Sequence, residues 1–309
     1  MERTPKIVVA GSLNMDMVFS IDRLPVLGET VKGRDFFMNP GGKGANQAVG
    51  AARLGADVAF VGCCGDDLFG LTIKQALESD GVDIAGIRKV GKIATGTAAI
   101  LIEGRDNCIV VSPGANHVWG KTEQSALERV LPGADFLMVQ LEIPLEAVSG
   151  AVETANRFGV PALLNPAPAS LLPASLLAGV SVLMPNETEA ALLTGMDVST
   201  LEGCRAAANR LCAAGTATVV ITRGEQGAFC FSADSEFSVP SYPVSVADTT
   251  AAGDSCCAAL AVALSRGEPL KKALSWACAA AALTITKKGA QASLPTATEV
   301  ETFLKNQRK

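Results

Sequence analysis

The sequence predicts an α/β fold: a doubly wound, mostly parallel sheet flanked by helices. Short apolar runs recur at 7–10 (IVVA), 58–62 (VAFVG), 136–140 (FLMVQ), 162–165 (ALLN), 182–184 (VLM) and 218–222 (TVVIT). Each is continuously apolar rather than alternating, as in strands covered on both faces. Several are separated by segments with helical spacing, and strand–helix alternation implies right-handed crossovers between parallel strands. The 309 residues exceed the roughly 100–200 typical of one domain, but α/β folds are often larger. By length, one large α/β domain with an appendage is as plausible as two domains; with no linker, repeat or low-complexity tract in view, 1–309 is read as a single domain.

Along the chain, helices are expected at 45–54, 68–79, 122–131, 145–158 and 201–214, with Thr122 as the cap of its helix. Two regions break the rhythm. Residues 15–39 and 95–111 are rich in β-formers with turn signals and no helix inside them, so they read as hairpins outside the main sheet. They either extend an edge of that sheet or form a small β-sheet lid over its ligand edge.

Composition excludes several classes. A net charge of −5 offers no basic surface for nucleic acid or acidic lipid. The apolar run near the start, 7–11, is shorter than the ~7–15 residues and cleavage site of a signal peptide. The most apolar stretch, 276–285, falls short of the ~20 residues of a membrane span. A soluble, cytoplasmic protein is therefore expected. Nine cysteines with no Cys-x-x-Cys pair fit reduced thiols used as small hydrophobes. One histidine, His117, leaves no zinc constellation.

The segment DTTAAGDS, 248–255, leads into the helical CCAALAVALS. Small residues there let the backbone turn and present free N–H groups at a helix start, a site for an anion. Asp254 beside such an anion would accept the proton of an attacking hydroxyl, although acids also favour helix starts for structural reasons alone. A second glycine-rich junction, NPGGKGANQAVGAARLG (39–55), sets Lys43 and Asn46 at another helix start. There is no Gly-x-Gly-x-x-Gly, so a dinucleotide dehydrogenase is disfavoured. Gly120-Lys121-Thr122 lacks the glycine a P-loop requires, since that position is Ala115.

Taken together, GSLNMD (11–16), PGGKGANQA (40–48), LNPAP (164–168), PNETE (185–189), TRGEQG (222–227), DTTAAGD (248–254) and AAAALTITKKGAQASLP (279–295) resemble the ribokinase-like PfkB family of carbohydrate kinases, in order and over essentially the whole chain. The resemblance implies transfer of the ATP γ-phosphate to a sugar hydroxyl. It makes Asn14, Asp16, Gly42, Lys43, Asn46 and Glu142 the sugar contacts, Asp254 the catalytic base, and Ala252, Gly253 and Asp254 the anion hole. Asn186, Thr222, Gly224, Gly227, Gly253 and Cys278 match the nucleotide positions, with Asn186 and Glu189 as the handle for hydrated Mg²⁺. Asp248, Thr250, Thr284, Lys287, Gly289 and Ser293 match an activating K⁺ site, several through backbone carbonyls. The two β-rich regions match a lid that also pairs two subunits, implying a homodimer.

Departures from the family pattern are Cys256, where an aromatic is common, and Cys278, where a larger polar residue often approaches adenine. Both concern the nucleotide rather than the reaction. Within the family, ribose is expected, phosphorylated at its 5-hydroxyl, with 2-deoxyribose, another pentose, a ketohexose or a nucleoside as alternatives. A sugar-sensing pseudokinase would be expected to lose the base, the anion-hole glycine or the magnesium handle. Asp254, Gly253, Asn186 and Glu189 are all present.

Overall fold

The computed structural model describes residues 3–104 and 106–307, so Arg105 of the second β-rich region lies outside the described residues, as do 1–2 and 308–309. Among the described residues, thirteen strands form two sheets, with ten α-helices. The chain opens with β1 (Lys6–Ala10), β2 (Asn14–Ile21), β3 (Gly33–Gly41), α1 (Lys43–Arg53), β4 (Asp57–Gly65), α2 (Leu68–Ser79) and β5 (Asp83–Val90). Next come β6 (Gly96–Glu103), β7 (Asp106–Ser112), α3 (Lys121–Val130), β8 (Phe136–Gln140), α4 (Leu145–Arg157) and β9 (Ala162–Asn165). Then follow α5 (Ala174–Gly179), β10 (Val182–Leu183), α6 (Glu187–Thr194), α7 (Leu201–Ala213) and β11 (Thr218–Thr222). The chain closes with β12 (Ala228–Ser232), β13 (Ser235–Val239), α8 (Ala252–Ser265), α9 (Leu270–Thr284) and α10 (Ala297–Asn306).

The large sheet runs β13-β12-β11-β10-β9-β8-β1-β4-β5. Its strands from β11 to β5 pair in parallel, whereas β12 and β13 add an antiparallel edge. The continuous apolar runs are explained by where alternate residues go. Ile7, Val9, Phe60, Met138 and Val220 enter one core with residues of α1, α8 and α9. Val8, Ala10, Val61, Leu137 and Val219 enter the other with residues of α3, α4 and α7. A fully buried side chain of this size contributes about 1.5–3 kcal/mol, so neither face can be polar.

The expected helices form within two residues of their predicted bounds. Thr122 is not a cap: α3 is capped by Gly120, whose N–H donates to the Glu123 carboxylate at 2.7 Å. A glutamate three residues into the helix supplies the acceptor that the glycine cannot.

The two β-rich regions make their own sheet, β3-β2-β6-β7, rather than extending an edge of the large one. Each is an antiparallel hairpin, and β2 joins them by pairing in parallel with β6 from Asn14↔Gly96 to Ile21↔Glu103. Register places Val18, Phe37, Ile100 and Ile109 on the face that carries Asp16, with Phe19, Phe36 and Leu101 on the other.

From β1 the large sheet is laid down toward β4 and β5, then resumes on β1's other side with β8, β9, β10 and β11. Strand order therefore reverses between β1 and β8, and ligands of such sheets bind outside the carboxyl ends at that point.

Candidate active site

The reversal brings the ends of β1 and β8 together. Glu142, two residues beyond β8, accepts hydrogen bonds through Oε2 from Ser12 Oγ (2.6 Å), the Lys43 backbone N–H (3.0 Å) and Asn14 Nδ2 (3.3 Å). Asn14 in turn accepts from Asn116 Nδ2 at 2.7 Å, and Asn116 Oδ1 accepts the Leu13 N–H at 2.9 Å. Gly42, with φ of 90°, starts α1 so close that a Cβ would lie 2.8 Å from the Asn14 nitrogen. Only glycine takes that backbone at little cost. Asp16 stands beside this cluster. Burial, then the carboxylates of Glu142 and Asp254, push its carboxyl up to about 7, partly opposed by Lys43.

Asp254 is buried on the first turn of α8. Its Oδ2 accepts from Asn46 Nδ2 at 2.9 Å and its Oδ1 from Gln47 Nε2 at 3.1 Å. Burial raises its pKa above the ordinary carboxylate range, while Lys43, Asn46 and Gln47 pull the other way. For Lys43 burial acts to lower the pKa, but Asp254, Glu142 and Glu189 outweigh it and keep the ammonium charged. The tight turn is made by Ala251 at φ 60°, not by Gly253. A non-glycine residue held left-handed costs roughly 1–2 kcal/mol.

That turn frees the helix start. The Ala252 N–H reaches Thr249 O at 3.3 Å, while those of Gly253 and Asp254 meet no acceptor among the described residues. A Cβ on Gly253 would meet nothing within 4 Å. Open space above two free N–H groups at a helix N-terminus is a cradle for an anionic oxygen.

The cradle opens into a cavity of about 400 Å³, lined among others by Lys43, Asn186, Glu189, Thr222, Gly224 and Cys257. Asn186 caps α6: its Oδ1 accepts the Glu189 N–H, and Glu189 Oε2 accepts the Asn186 N–H, both at 2.8 Å. The pair is thus a capping box and also part of the cavity wall. Glu189 is buried, not a surface acid, and burial raises its pKa against the Asn186 N–H and Lys43. Asn186 and Thr222 bridge in parallel, and Gly224 (φ 50°) and Gly227 (φ 84°) shape the loop after β11. A broader groove between α3 and α4, about 760 Å³, lies away from these strand ends and does not include Lys43 or Asp254.

Next to α8, Asp248 stitches two loops together. Its Oδ1 accepts from the Thr250 N–H (2.9 Å) and Oγ1 (2.6 Å), and its Oδ2 from the Gly289 N–H (3.0 Å). Those bonds outweigh burial and lower its pKa. The Lys287 ammonium is paired with Glu299 at 2.8 Å, and the Thr284 and Ser293 hydroxyls donate to the carbonyls of Ala280 (2.9 Å) and Ala290 (2.8 Å). These residues have backbone carbonyls rather than side chains to offer an ion. Cys278 is buried on α9, interacts with Cys256 of α8, and is not on the cavity wall.

The fold therefore brings the sugar-type cluster, the buried carboxylate and the phosphate-type loops to one edge. Sequence reasoning passed over Ser12, Gln47, Asn116, Gln140 and Asn165. Ser12, Gln47 and Asn165 lie inside the quoted motifs, so polar residues next to the recognised positions were the available signal. Asn116 and Gln140 carried none beyond being polar near a motif or a strand end.

Comparison with known proteins agrees with this architecture. The model of the pfkB family carbohydrate kinases matches residues 4–297. The ribokinase of Haemophilus influenzae is 40% identical over 301 residues, 97% of this chain and 98% of that protein. The deoxyribokinase of Salmonella typhi is 35% identical, covering 96% and 98% respectively. The structure of Arabidopsis thaliana ribokinase complexed with ribose and ATP superposes with a TM-score of 0.93 at 34% identity, covering 98% of this chain and 99% of that one. A match along nearly the whole length, over a site laid out for one carboxylate between hydroxyl and phosphate, means that this chain belongs to the pfkB family of carbohydrate kinases.

Proposed function

We propose that the chain is an ATP-dependent ribokinase, moving the γ-phosphoryl group of ATP to the 5-hydroxyl of D-ribose to give D-ribose 5-phosphate and ADP. The observation that carries this reading is the buried Asp254 carboxylate, with Asn46 on one side and the open N–H groups of α8 on the other. The ribokinases similar to this chain, one of them described with ribose and ATP, support ribose as the acceptor. The Salmonella typhi deoxyribokinase keeps 2-deoxyribose as the second reading.

In the reaction, Asn14, Asp16, Glu142, Asn46 and the Gly42–Lys43 backbone hold the sugar hydroxyls. Asp254 takes the proton of the 5-hydroxyl as its oxygen bonds to phosphorus. The bond from phosphorus to the bridging oxygen breaks, and ADP leaves with that electron pair. The Gly253 and Asp254 N–H groups, with the Ala251 turn behind them, donate to the phosphoryl oxygens as charge develops. Thr222 and Gly224 line the nucleotide, Gly227 shapes their loop, and Cys278, buried against Cys256 off the cavity wall, does not line it.

Among the described residues no three His, Cys, Asp or Glu side chains converge as a ready metal cage. That suits Mg²⁺, which keeps its waters and binds through few carboxylates plus substrate phosphates. Asn186 and Glu189 would hold it, and it would neutralise phosphate charge. Asp248, Thr250, Thr284, Lys287, Gly289 and Ser293 would hold K⁺, steadying the turn before α8. The free, mostly buried cysteines support a reducing, cytoplasmic setting, and among the described residues no helix is long and apolar enough to cross a membrane.

We read the small sheet as a lid of a single 1–309 unit and as the contact of a homodimer. Exposed Phe36, Met38 and Val110, on the face turned away from Asp16, support a covered surface there. A monomer by sedimentation velocity at micromolar concentration would overturn the dimer.

The test of the function is ADP release with Mg·ATP and a panel of sugars, with and without K⁺. Turnover on D-ribose, raised by K⁺ and reduced ~10²–10⁴-fold in Asp254→Asn, is expected. Turnover only on deoxyribose replaces the substrate, and no sugar-dependent ADP from folded protein overturns the kinase reading.

A further inference from the structure

Two glutamines stand behind the base, fully buried and unused by the chemistry above. Gln47 of α1 donates through Nε2 to Asp254 Oδ1 at 3.1 Å and to Asn165 Oδ1 at 3.4 Å. Its Oε1 accepts from Gln140 Nε2, at the end of β8, at 2.6 Å. Both side chains have 0% exposure, and burying primary amides between a helix and a sheet is unfavourable unless they are well paired. Yet Gln140 Oε1 has no partner, so the pair is not the arrangement that best satisfies itself. Room has also been left for it, because a Cβ on Gly11 would collide with Gln140 Oε1.

The polarity of this chain follows from its far end. An ionised carboxylate can only accept, so Gln47 must turn its amide nitrogen toward Asp254. Its carbonyl then needs a donor, which Gln140 supplies. Asn165 helps from the side: its Nδ2 donates to Met184 O at 3.1 Å, which leaves its carbonyl facing Gln47. The ends of two neighbouring strands and one helix thereby fix a single amide orientation.

We propose that Gln47 and Gln140 are positioning residues for phosphoryl transfer, a relay that locks the Asp254 carboxylate in the orientation from which it takes the hydroxyl proton. The proposal rests on the reading of Asp254 as the base. Neither glutamine touches sugar or nucleotide in this account, so losing one disturbs aim rather than binding.

The test uses Gln47→Met, Gln140→Met, Gln140→Glu and Asp254→Asn in the full chain, measuring kcat, KM for ribose, kcat against pH, and Tm. Gln47→Met should lower kcat ~10–100-fold, the scale of a misplaced catalytic group, with KM for ribose nearly unchanged. The acid limb of its kcat profile should move to higher pH. A donor favouring the ionised base is lost, while Lys43, Glu142, Asp16 and Glu189 on other elements, and Cys257 on α8 itself, remain. Gln140→Met should act in the same direction and less. Gln140→Glu should be worse than Gln140→Met, because an acceptor there turns the Gln47 amide round and points its carbonyl at Asp254.

Equal kcat in Gln140→Glu and Gln140→Met, at equal Tm, would mean the side chain only fills space and would overturn the relay even if Gln47→Met failed to fold. Wild-type kcat and pH profile in Gln47→Met, with Asp254→Asn inactive, would overturn the relay alone. Wild-type kcat in Asp254→Asn would overturn the base and the relay together.

Discussion

The two walls of the site are built from different materials. On the hydroxyl side, side chains mostly hold side chains: Ser12 and Asn14 converge on Glu142, joined by the Lys43 backbone N–H, Asn116 braces Asn14, and Asn46 and Gln47 brace Asp254. On the phosphate side the surface is largely backbone: free N–H groups at the start of α8, the bare Gly253, and the glycine turns after β11. A wall of interlocked polar side chains recognises a pattern of hydroxyls, since a missing partner leaves buried groups unpaired. A wall of N–H groups and a helix dipole recognises charge, whatever carries it.

This contrast can be broken from either side. The largest effect is expected from Gly253→Val, which fills the phosphate cradle. No atom lies within 4 Å of the added Cβ, so Tm should hold while kcat falls ~10²–10³-fold, as when an anion-hole donor is lost. KM for ribose should hardly move. A rise in KM for ribose as large as the fall in kcat would mean the walls are not separate.

Asp16→Asn attacks the other wall. Losing hydrogen bonds to a charged acceptor costs about 1.5–3 kcal/mol, or ~10–100-fold in KM for ribose, with KM for ATP nearly constant. It also separates function from stability. With its carboxyl pushed up to about 7 in the fold, against about 3.9 in the unfolded chain, Asp16 holds a proton that unfolding releases. The stability that Asp16 contributes therefore falls as pH rises from about 4 to about 7 and is gone above that. Asparagine does not titrate, so Asp16→Asn should raise Tm relative to wild type more at pH 8 than at pH 4, measured by thermal melts without sugar. An equal difference at both pH values would show that Asp16 is not held protonated.

The smallest effect is expected at the joint between the walls. Ala251→Gly removes about 1–2 kcal/mol of left-handed strain but frees the unfolded chain by about 0.4–1 kcal/mol, so Tm should rise only slightly. If kcat nevertheless drops, the turn contributes rigidity to the cradle.

How much of this was legible depended on the range of the interaction involved. Strands read well because the sheet is covered on both faces, which makes runs such as IVVA and FLMVQ continuous. Of the β12–β13 edge, SEFSV is half-buried and alternates polar with apolar residues, so it lacks that continuity, whereas AFCFS opens on four apolar residues and was passed over despite them. In the site, local backbone features were visible as glycine-rich junctions, but not which small residue would turn left-handed: Ala251 does so and Gly253 does not. That choice is made by the contacts α8 must satisfy, not by local propensity. Asn186 was read both as a cap and as a ligand handle, and its geometry allows both. The bond from Gln47 to Asp254 spans 207 residues, and no local pattern announces a pairing of that length.

The cysteines make the molecule convenient to observe. Seven are buried, and burial pushes the thiols of Cys63 and Cys230 up to about 12. Cys108, exposed on β7 opposite Leu101, stands apart on the small sheet. A thiol-directed fluorophore or spin label therefore has a native attachment point on the element expected to close over the sugar, and its motion can be followed in solution without changing a residue.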